Sequence, residues 1–324
     1  MWSKHFSISE PQKPSLVVDV TYLCNAECRY CQWGNSETPG RISQSLKEIL
    51  VPTETLTNLG IKRIVISGGE PRLHPEIESI LHYYRNLVDE VVIMTNAYGL
   101  TTTEIKKLLD AGVTGFTVSL DSVDVVESFL TRSTPLHLHN EILSNLEDIL
   151  KMPHDFEFGI NSVISHVTAN WNSVSALLEF GNKIGIDFIK FQPIFDDGFA
   201  SINSPELLLS NEDVSSLLDI ASKLDTINHP LTNPPAFWTD VAKIANGGSL
   251  PANKCGLGSH HSISIRGNLS MCFWVNSSSY GDSSKTMNEN DLLKIQTTFE
   301  KEKQKCKVDY HCFCNQNIDH TWLK

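Results

Sequence analysis

Short runs of β-branched and aliphatic residues alternate with longer amphipathic stretches over the first two thirds of the chain. The apolar runs predict six strands, at residues 15–20, 61–67, 88–95, 113–120, 156–164 and 186–192. Apolar residues at helical spacing predict helices between them, at residues 41–59, 75–85, 101–111, 138–151 and 171–184. This alternation predicts parallel β/α units with right-handed crossovers. Six units rather than eight indicate an α/β fold of the partial (β/α)6 TIM-like barrel type.

Proline, threonine and glycine residues help to place the ends of some predicted helices. Pro52 is a potential break inside the first predicted helix. Thr101 is a candidate N-cap, and Gly112 and Gly185 are expected where two helices stop. Because ligands bind at the carboxyl ends of the strands in such folds, polar residues at those ends are the first candidates for a functional site.

The alternation of predicted strands and helices ends after Gln192. We expect a loop, a helix capped by Asn211, a proline-rich linker and another helix, at residues 196–210, 211–225, 228–235 and 236–246. A hairpin and a last helix follow, with strands at 261–265 and 269–274 and the helix at 290–304. The chain therefore divides into a lead-in, a barrel core, a connecting segment and a small C-terminal unit, at residues 1–14, 15–195, 196–249 and 250–324.

Composition narrows the class of protein. The 324 residues suit one large domain, or one with an appendage. Hydrophobic residues make up 40% and charged residues 20%, which is ordinary for a soluble globular protein. The net charge of −12 argues against nucleic-acid binding through phosphate contacts. No apolar run approaches membrane-spanning length and the start has no signal-peptide core, so we expect a cytoplasmic protein without a membrane partner.

The eight cysteines fall into two groups, and the first group directly follows the first predicted strand. Cys24, Cys28 and Cys31 have the spacing C-x3-C-x2-C. Disulfide geometry disfavours such tight loops, whereas three thiolates can converge on one iron–sulfur cluster and leave one iron of a four-iron cluster open. A structural zinc site is the alternative, but it requires a fourth Cys or His, and the next histidine is His74.

The second predicted strand ends in Gly68-Gly69-Glu70-Pro71. Glycine lets the backbone come close to a ligand, and a glutamate can pair with a cationic amino group. The cysteine loop, with Tyr30 before its third cysteine, and this segment one β/α unit later resemble the signature of the radical S-adenosylmethionine (radical SAM) superfamily. The resemblance covers about residues 15–195.

The resemblance implies that Cys24, Cys28 and Cys31 hold a [4Fe–4S] cluster whose open iron binds S-adenosylmethionine, SAM. Residues Gly68–Pro71 would hold the amino group of SAM. An external electron donor of the flavodoxin or ferredoxin type would reduce the cluster, and SAM cleavage would give a 5′-deoxyadenosyl radical that abstracts a hydrogen atom. Further cofactor-binding candidates are Asn96, Ser119, Asp121, Arg132, Asn161 and Gln192. The alternative for these six is a polar residue that only satisfies loop backbone groups.

The second group of cysteines lies in the last quarter of the chain. Cys255-x11-Gly267-x4-Cys272 resembles the opening of SPASM and twitch extensions, which implies an auxiliary [4Fe–4S] cluster and a twitch-like C-terminal unit. Its candidate ligands are Cys255, Cys272, Cys306, Cys312 and Cys314. Four ligands leave one spare thiol, for which we choose Cys306 as a candidate hydrogen-atom donor. A zinc site, a cysteine that merely packs and a cluster with only three ligands are the alternatives.

These features predict a radical SAM oxidoreductase or epimerase. The favoured substrate is a small polar natural-product intermediate, such as a sugar or aminocyclitol, which is epimerised or dehydrogenated. The alternative is modification of a ribosomal peptide by epimerisation, cross-linking or thioether formation. Only about 14 residues precede the first predicted strand, which leaves little room there for a peptide-recognition domain.

Overall fold

One nine-stranded sheet organises the protein. The computed structural model describes residues 15–34, 43–194, 199–227, 232–250, 260–264, 268–270, 279–282, 284–288, 290–291, 293–294 and 297. The strands are β1 (Ser15–Thr21), β2 (Arg63–Gly68), β3 (Glu90–Thr95), β4 (Gly115–Ser119), β5 (Glu157–Ile164), β6 (Phe188–Pro193), β7 (His260–Ser264), β8 (Asn268–Ser270) and β9 (Ser279–Asp282). Their order is β6-β5-β4-β3-β2-β1-β7-β8-β9, and β1 to β6 are all parallel. The predicted open barrel of six parallel strands is confirmed.

Helices connect the parallel strands. They are α1 (Leu46–Ile49), α2 (Thr53–Asn58), α3 (Ile77–Arg85), α4 (Thr102–Asp110), α5 (Val125–Arg132), α6 (Leu136–Leu150), α7 (Trp171–Ile184), α8 (Phe199–Asn203), α9 (Val214–Ile227) and α10 (Pro235–Ala245). Pro52 separates α1 from α2, as the sequence indicated. Thr101 caps α4, and Gly185 ends α7 in the left-handed region.

Three local predictions were wrong. Helix α5 was not predicted at all, and α8 lies inside a segment expected to be a loop. The cap of the segment before α9 is Ser210, whose hydroxyl accepts a hydrogen bond from the Glu212 amide, rather than Asn211. Asn211 instead begins a 3₁₀ turn that leads into α9.

The two faces of the parallel strands differ in chemistry. On β1, the side chains of Leu16, Val18 and Val20 are fully buried in the core that packs against the helices. The alternating residues on β1 face the concave side of the sheet, because successive strand residues point to opposite faces. The same alternation on β1 to β6 places both polar and apolar side chains on this concave face. The apolar ones include Val17, Val65, Val92 and Met94. The polar ones include Asp19, Ser67, Thr117, Ser119, Asn161 and Lys190. We call the space that these residues border the barrel lumen.

An ion pair closes the lumen near the amino ends of the strands. Arg63 on β2 pairs with Glu90 on β3 at 3.0 Å and with Glu157 on β5 at 2.5 Å. In a flat sheet, β2 and β5 would lie about 14 Å apart, since neighbouring strands are about 4.8 Å apart. The direct contact therefore fits a sheet that curves around the lumen.

The predicted C-terminal hairpin continues the same sheet. Strand β7 pairs with β1 in parallel, and β7 and β8 are antiparallel with Ser264 opposite Asn268. The hairpin prediction is confirmed for these residues, and it places β7 directly beside the strand that carries the cysteine loop. The ends of the predicted hairpin and most of the predicted helix 290–304 lie outside the described residues.

The membrane prediction has one structural test. Among the described residues, no helix is both long enough and apolar enough to span a lipid bilayer.

Candidate active site

The cysteine loop leaves the carboxyl end of β1. The loop carries Cys24, Cys28 and Cys31 as thiols rather than as disulfides, and Cys28 is buried. Burial raises the pKa of Cys24 and raises that of Cys28 to about 12, because a desolvated thiolate is unfavourable. A bound metal reverses this preference, since coordination deprotonates a thiol.

Contacts from α5 hold the loop in place. The Arg29 amide donates to the carbonyl of Thr131 at 3.0 Å, and its guanidinium donates to the carbonyl of Leu130 at 3.1 Å. On the other side of the loop, the rings of Tyr22 and Trp33 stack at 4.0 Å. Both ends and the middle of the loop are therefore fixed by the surrounding fold.

A buried polar cluster lies behind the loop. The Tyr30 hydroxyl donates to Asp121 Oδ2 at 2.6 Å, and Arg132 Nη1 donates to the same hydroxyl at 3.2 Å. Arg132 also lies 3.7 Å from Asp121 Oδ1, and both charged side chains are almost completely buried. Burial raises the pKa of Asp121, while the charge of Arg132 partly opposes that shift. The structure thus joins the predicted Asp121 and Arg132 through Tyr30, whose role the sequence did not show.

The glycine segment packs against the backbone at the start of the cysteine loop. The Gly69 amide donates to the Thr21 carbonyl at 2.7 Å, and the Glu70 amide donates to the Leu23 carbonyl at 2.8 Å. A Cβ on Gly69 would lie 2.2 Å from the Leu23 oxygen, which is far inside van der Waals contact. Gly68 has a φ of 124° and an equally close approach to the Thr21 oxygen, so both positions require glycine.

Glu70 is fully buried and tightly hydrogen-bonded. Its Oε1 accepts from Arg72 Nε at 2.8 Å and from the Thr95 hydroxyl at 2.9 Å. Its Oε2 accepts from the Asn96 amide at 2.8 Å. These contacts hold the Glu70 carboxylate inside the protein, where it joins the glycine segment to the end of β3. Arg72 and Thr95 were not among the predicted residues, although each lies near a predicted one in the sequence.

The remaining predicted residues occupy different places. Ser119 and Asn161 lie opposite each other on the lumen face of β4 and β5. Gln192 lies on the same face of β6, and Pro71 is buried in the turn after Glu70. The predicted auxiliary residues lie outside the described residues, so their roles stay predictions: Cys255, Cys272, Cys306, Cys312 and Cys314.

The loop fits a cluster better than a single ion. Within the part of the chain that the structure describes, no three His, Cys, Asp or Glu side chains converge on one point that would hold a single metal ion. An iron–sulfur cluster makes a different demand, because each of its thiolates binds a different iron. The three thiols of this one anchored loop could each bind a different iron.

Comparison with known proteins identifies the domain. Residues 18–163 match the family described as the radical SAM superfamily. The chain therefore contains a radical SAM domain. The resemblance seen in its cysteine loop and glycine segment is thereby confirmed, and with it the use of SAM and a [4Fe–4S] cluster.

Two relatives of this radical SAM protein are named as GTP 3′,8-cyclases. A probable GTP 3′,8-cyclase of Methanococcus maripaludis is 29% identical over 192 residues, which are 55% of this chain and 60% of that protein. A GTP 3′,8-cyclase of Campylobacter fetus is 26% identical over 72% of this chain and 69% of its own length. The match to the first relative thus spans less than two thirds of its length.

Solved structures show the same fold. Streptococcus suis SuiB bound to S-adenosylmethionine superposes with a TM-score of 0.61 at 16% identity, over 87% of this chain and 65% of SuiB. The enzyme anSMEcpe with bound AdoMet superposes with a TM-score of 0.63 at 18% identity, over 92% of this chain and 87% of its own. At these identities the similarity concerns the fold alone.

Proposed function

We propose that this radical SAM protein abstracts a hydrogen atom from a small polar substrate, such as a sugar or aminocyclitol, that binds in the barrel lumen. When bound, the cluster and SAM would supply a 5′-deoxyadenosyl radical. The chain itself would hold the cluster with Cys24, Cys28 and Cys31. The segment Gly68–Pro71 would hold the amino group of SAM. Epimerisation or dehydrogenation would follow hydrogen-atom removal.

The polar wall of the lumen carries this proposal. Asp19 and Ser67 lie opposite each other on β1 and β2, and Ser119 and Asn161 do so on β4 and β5. Carboxyl, hydroxyl and amide groups hydrogen-bond polyols well, since each hydroxyl of the ligand both donates and accepts. All of these groups lie on the face of the strands that leads up to the cysteine loop.

The described lumen offers few cations for a nucleoside triphosphate. Arg63 is already paired with Glu90 and Glu157, and Lys190 is the other cation that the described strands place on this face. Triphosphates are usually held by several Arg or Lys side chains or by a Gly-rich loop. This favours an uncharged or cationic substrate over GTP, which is the substrate named for the cyclase relatives.

The two substrate classes can be separated directly. With dithionite as reductant, the anaerobically reconstituted enzyme should cleave SAM to 5′-deoxyadenosine and methionine, and mass spectrometry should show that added GTP is not consumed. Consumption of GTP in step with 5′-deoxyadenosine would contradict the proposed substrate class. Ribosomal peptide modification remains the second candidate, since a SuiB structure contains its precursor peptide. The same reaction in heavy water distinguishes dehydrogenation from epimerisation. A two-electron-oxidised product indicates dehydrogenation, and a deuterium-labelled product indicates epimerisation.

Other parts of the proposal concern partners and the C-terminal unit. An external flavodoxin- or ferredoxin-type donor would reduce the cluster, and the protein would act in the cytoplasm. The late cysteines would hold an auxiliary cluster in a twitch-like unit spanning residues 250–324, with Cys306 as the spare thiol. This unit would follow the barrel core at 15–195 and the connecting segment at 196–249.

Asp19 provides a pH-dependent test of the lumen. Its carboxyl group is surrounded by protein, and burial raises its pKa to about 7 despite a hydrogen bond from Ser67. The side chain nevertheless keeps some accessible surface, as expected in a cavity. The charged groups on the same face are Arg63, Glu90 and Glu157 toward the amino ends of the strands and Lys190 toward the carboxyl ends.

We predict that Asp19→Asn becomes increasingly more stable than the wild type as pH rises. Below about pH 4, the Asp19 carboxyl is protonated in both the folded and the unfolded protein. Between about pH 4 and pH 7, only the folded protein keeps this proton. The stability of the wild type therefore falls as pH rises through this range. Asparagine has no such loss. The difference in unfolding free energy between variant and wild type should grow by about 1–2 kcal/mol from pH 5 to pH 8. This figure takes about 1.36 kcal/mol for each pKa unit and reduces the total because Asp19 keeps some solvent contact.

Thermal unfolding of the reconstituted proteins at several pH values measures this difference. The exposed residue Asp89 gives a matched control, because Asp89→Asn makes the same chemical change outside the lumen. A flat difference for Asp19→Asn would show that Asp19 is not desolvated in the lumen.

A further inference from the structure

Asn96 lies between the glycine segment and the cysteine loop. It directly follows β3 and is only 6% exposed. Its backbone amide donates to Glu70 Oε2 at 2.8 Å, which fixes the main chain. Its side-chain amide nitrogen, Nδ2, donates to Asn25 Oδ1 at 2.7 Å and lies 3.8 Å from Cys24 Sγ, within hydrogen-bond range for sulfur.

The orientation of the Asn96 side chain follows from its partners. The backbone amide of Tyr98 donates to Asn96 Oδ1 at 3.0 Å. A backbone N–H is only a donor, so the group that faces Tyr98 must be the amide oxygen. The amide nitrogen therefore points to the opposite side, toward Cys24 and Asn25.

The Cys24 sulfur thus receives donors from two directions. The amide of Ala26 also donates to Cys24 Sγ, at 3.5 Å. Hydrogen bonds to the sulfurs of an iron–sulfur cluster stabilise its more negative, reduced state and so set its potential. A substitution of Asn96 removes the side-chain donor and keeps the loop sequence, and it also removes the hydrogen bond from Asn96 to Asn25.

We propose that Asn96 is a positioning residue that donates a hydrogen bond to the Cys24 thiolate and raises the reduction potential of the radical SAM cluster. The inference rests on the proposed function in one respect, since it takes Cys24 as a cluster ligand. The step concerned is the uptake of one electron by the oxidised cluster from a one-electron donor such as a reduced flavodoxin. No bond forms or breaks in that step, and the hydrogen bond favours the product because the added charge is shared with the sulfurs.

The test is a redox titration of the full-length, anaerobically reconstituted protein and its Asn96→Ala and Asn96→Asp variants. Electron paramagnetic resonance follows the signal that changes when SAM is added, which assigns it to the cluster on the cysteine loop. At a fixed potential, Asn96→Ala should lower the ratio of reduced to oxidised cluster about tenfold, which corresponds to about 59 mV for a one-electron couple. Asn96→Asp should lower it further, because a carboxylate would face the thiolate.

Tyr98→Phe is the matched control. It removes a hydrogen bond between Tyr98 and the Thr134 hydroxyl in the same turn but keeps the backbone donor to Asn96, so the potential should not change. An unchanged potential in both Asn96 variants overturns the proposal. Loss of iron from both variants also overturns it, since Asn96 would then be needed for assembly rather than for tuning.

The outcome is separable from that of the proposed function. A shifted potential in a protein that forms no 5′-deoxyadenosine would support the role of Asn96 and reject the activity. A protein that cleaves SAM normally with an unshifted potential in its variants would reject the role and support the activity.

Discussion

Replacing Cys28 with alanine should abolish 5′-deoxyadenosine formation. Cys28 is the central and most buried of the three thiols, so no water or neighbouring side chain can easily take its place as a ligand. A cubane that loses one of three protein ligands is held by only two. With the proposed auxiliary cluster in place, iron in the reconstituted protein should fall from about eight to about four atoms per chain, the content of one four-iron cluster. Iron and sulfide assays and chromatography of the SAM products measure both effects.

The buried residue Ser128 on α5 offers a control of similar size. Ser128→Ala removes one oxygen from a position that is 2% exposed, and it should keep both the iron content and SAM cleavage. Residual SAM cleavage by Cys28→Ala would contradict the assignment of the loop. A wild-type content near four irons would leave the loop in place and argue against the auxiliary cluster.

The barrel and its cysteine loop could be predicted because both depend on local signals. Each parallel strand is a short apolar run, and each predicted helix has an apolar face that packs on the sheet. The alternation of strands and helices in the sequence places the cysteine loop at the end of β1 and the glycine segment at the end of β2. These positions support a shared function for the two motifs. Backbone pairing of Gly69 with Thr21 then brings these two motifs together.

Helix α5 was not predicted because apolar residues lie on its exposed face and polar residues on its buried face. Its apolar residues Val126 and Phe129 are 60% and 57% exposed, while Ser128, Thr131 and Arg132 are buried. A reading based on buried apolar periodicity finds no helix in such a segment. Asp124 is the one residue in the sequence that indicates the start of α5. Its carboxylate caps the helix by accepting hydrogen bonds from the amides of Val126 and Glu127.

Long-range polar contacts could not be predicted for a different reason. Arg63 and Glu157 meet only because the sheet curves, and Tyr30 meets Asp121 only because the loop folds back over β4. Neither contact leaves a periodic or compositional trace in the sequence. Such contacts decide which polar residues at the strand ends support the fold and which remain available for a ligand.

Arg132 shows how large the energetic consequence of such a contact can be. Arg132→Met should destabilise the protein by about 3–5 kcal/mol, because it leaves the carboxylate of Asp121 buried without its cation. Lys183 is the matched control, because its pair with Glu147 lies at the surface and Lys183→Met should leave the stability nearly unchanged. Denaturant unfolding of both variants under anaerobic conditions measures the difference.

The double variant Asp121→Asn/Arg132→Met separates a structural from a cofactor-binding role. Removing both charges should recover much of the stability lost in Arg132→Met, because no uncompensated charge remains buried. If Arg132 also binds SAM, as the resemblance implied, SAM affinity should stay low in the recovered double variant. Stability and affinity that recover together would show that Arg132 acts on SAM only through Asp121 and Tyr30. Equal, small effects of Arg132→Met and Lys183→Met would contradict the buried ion pair itself.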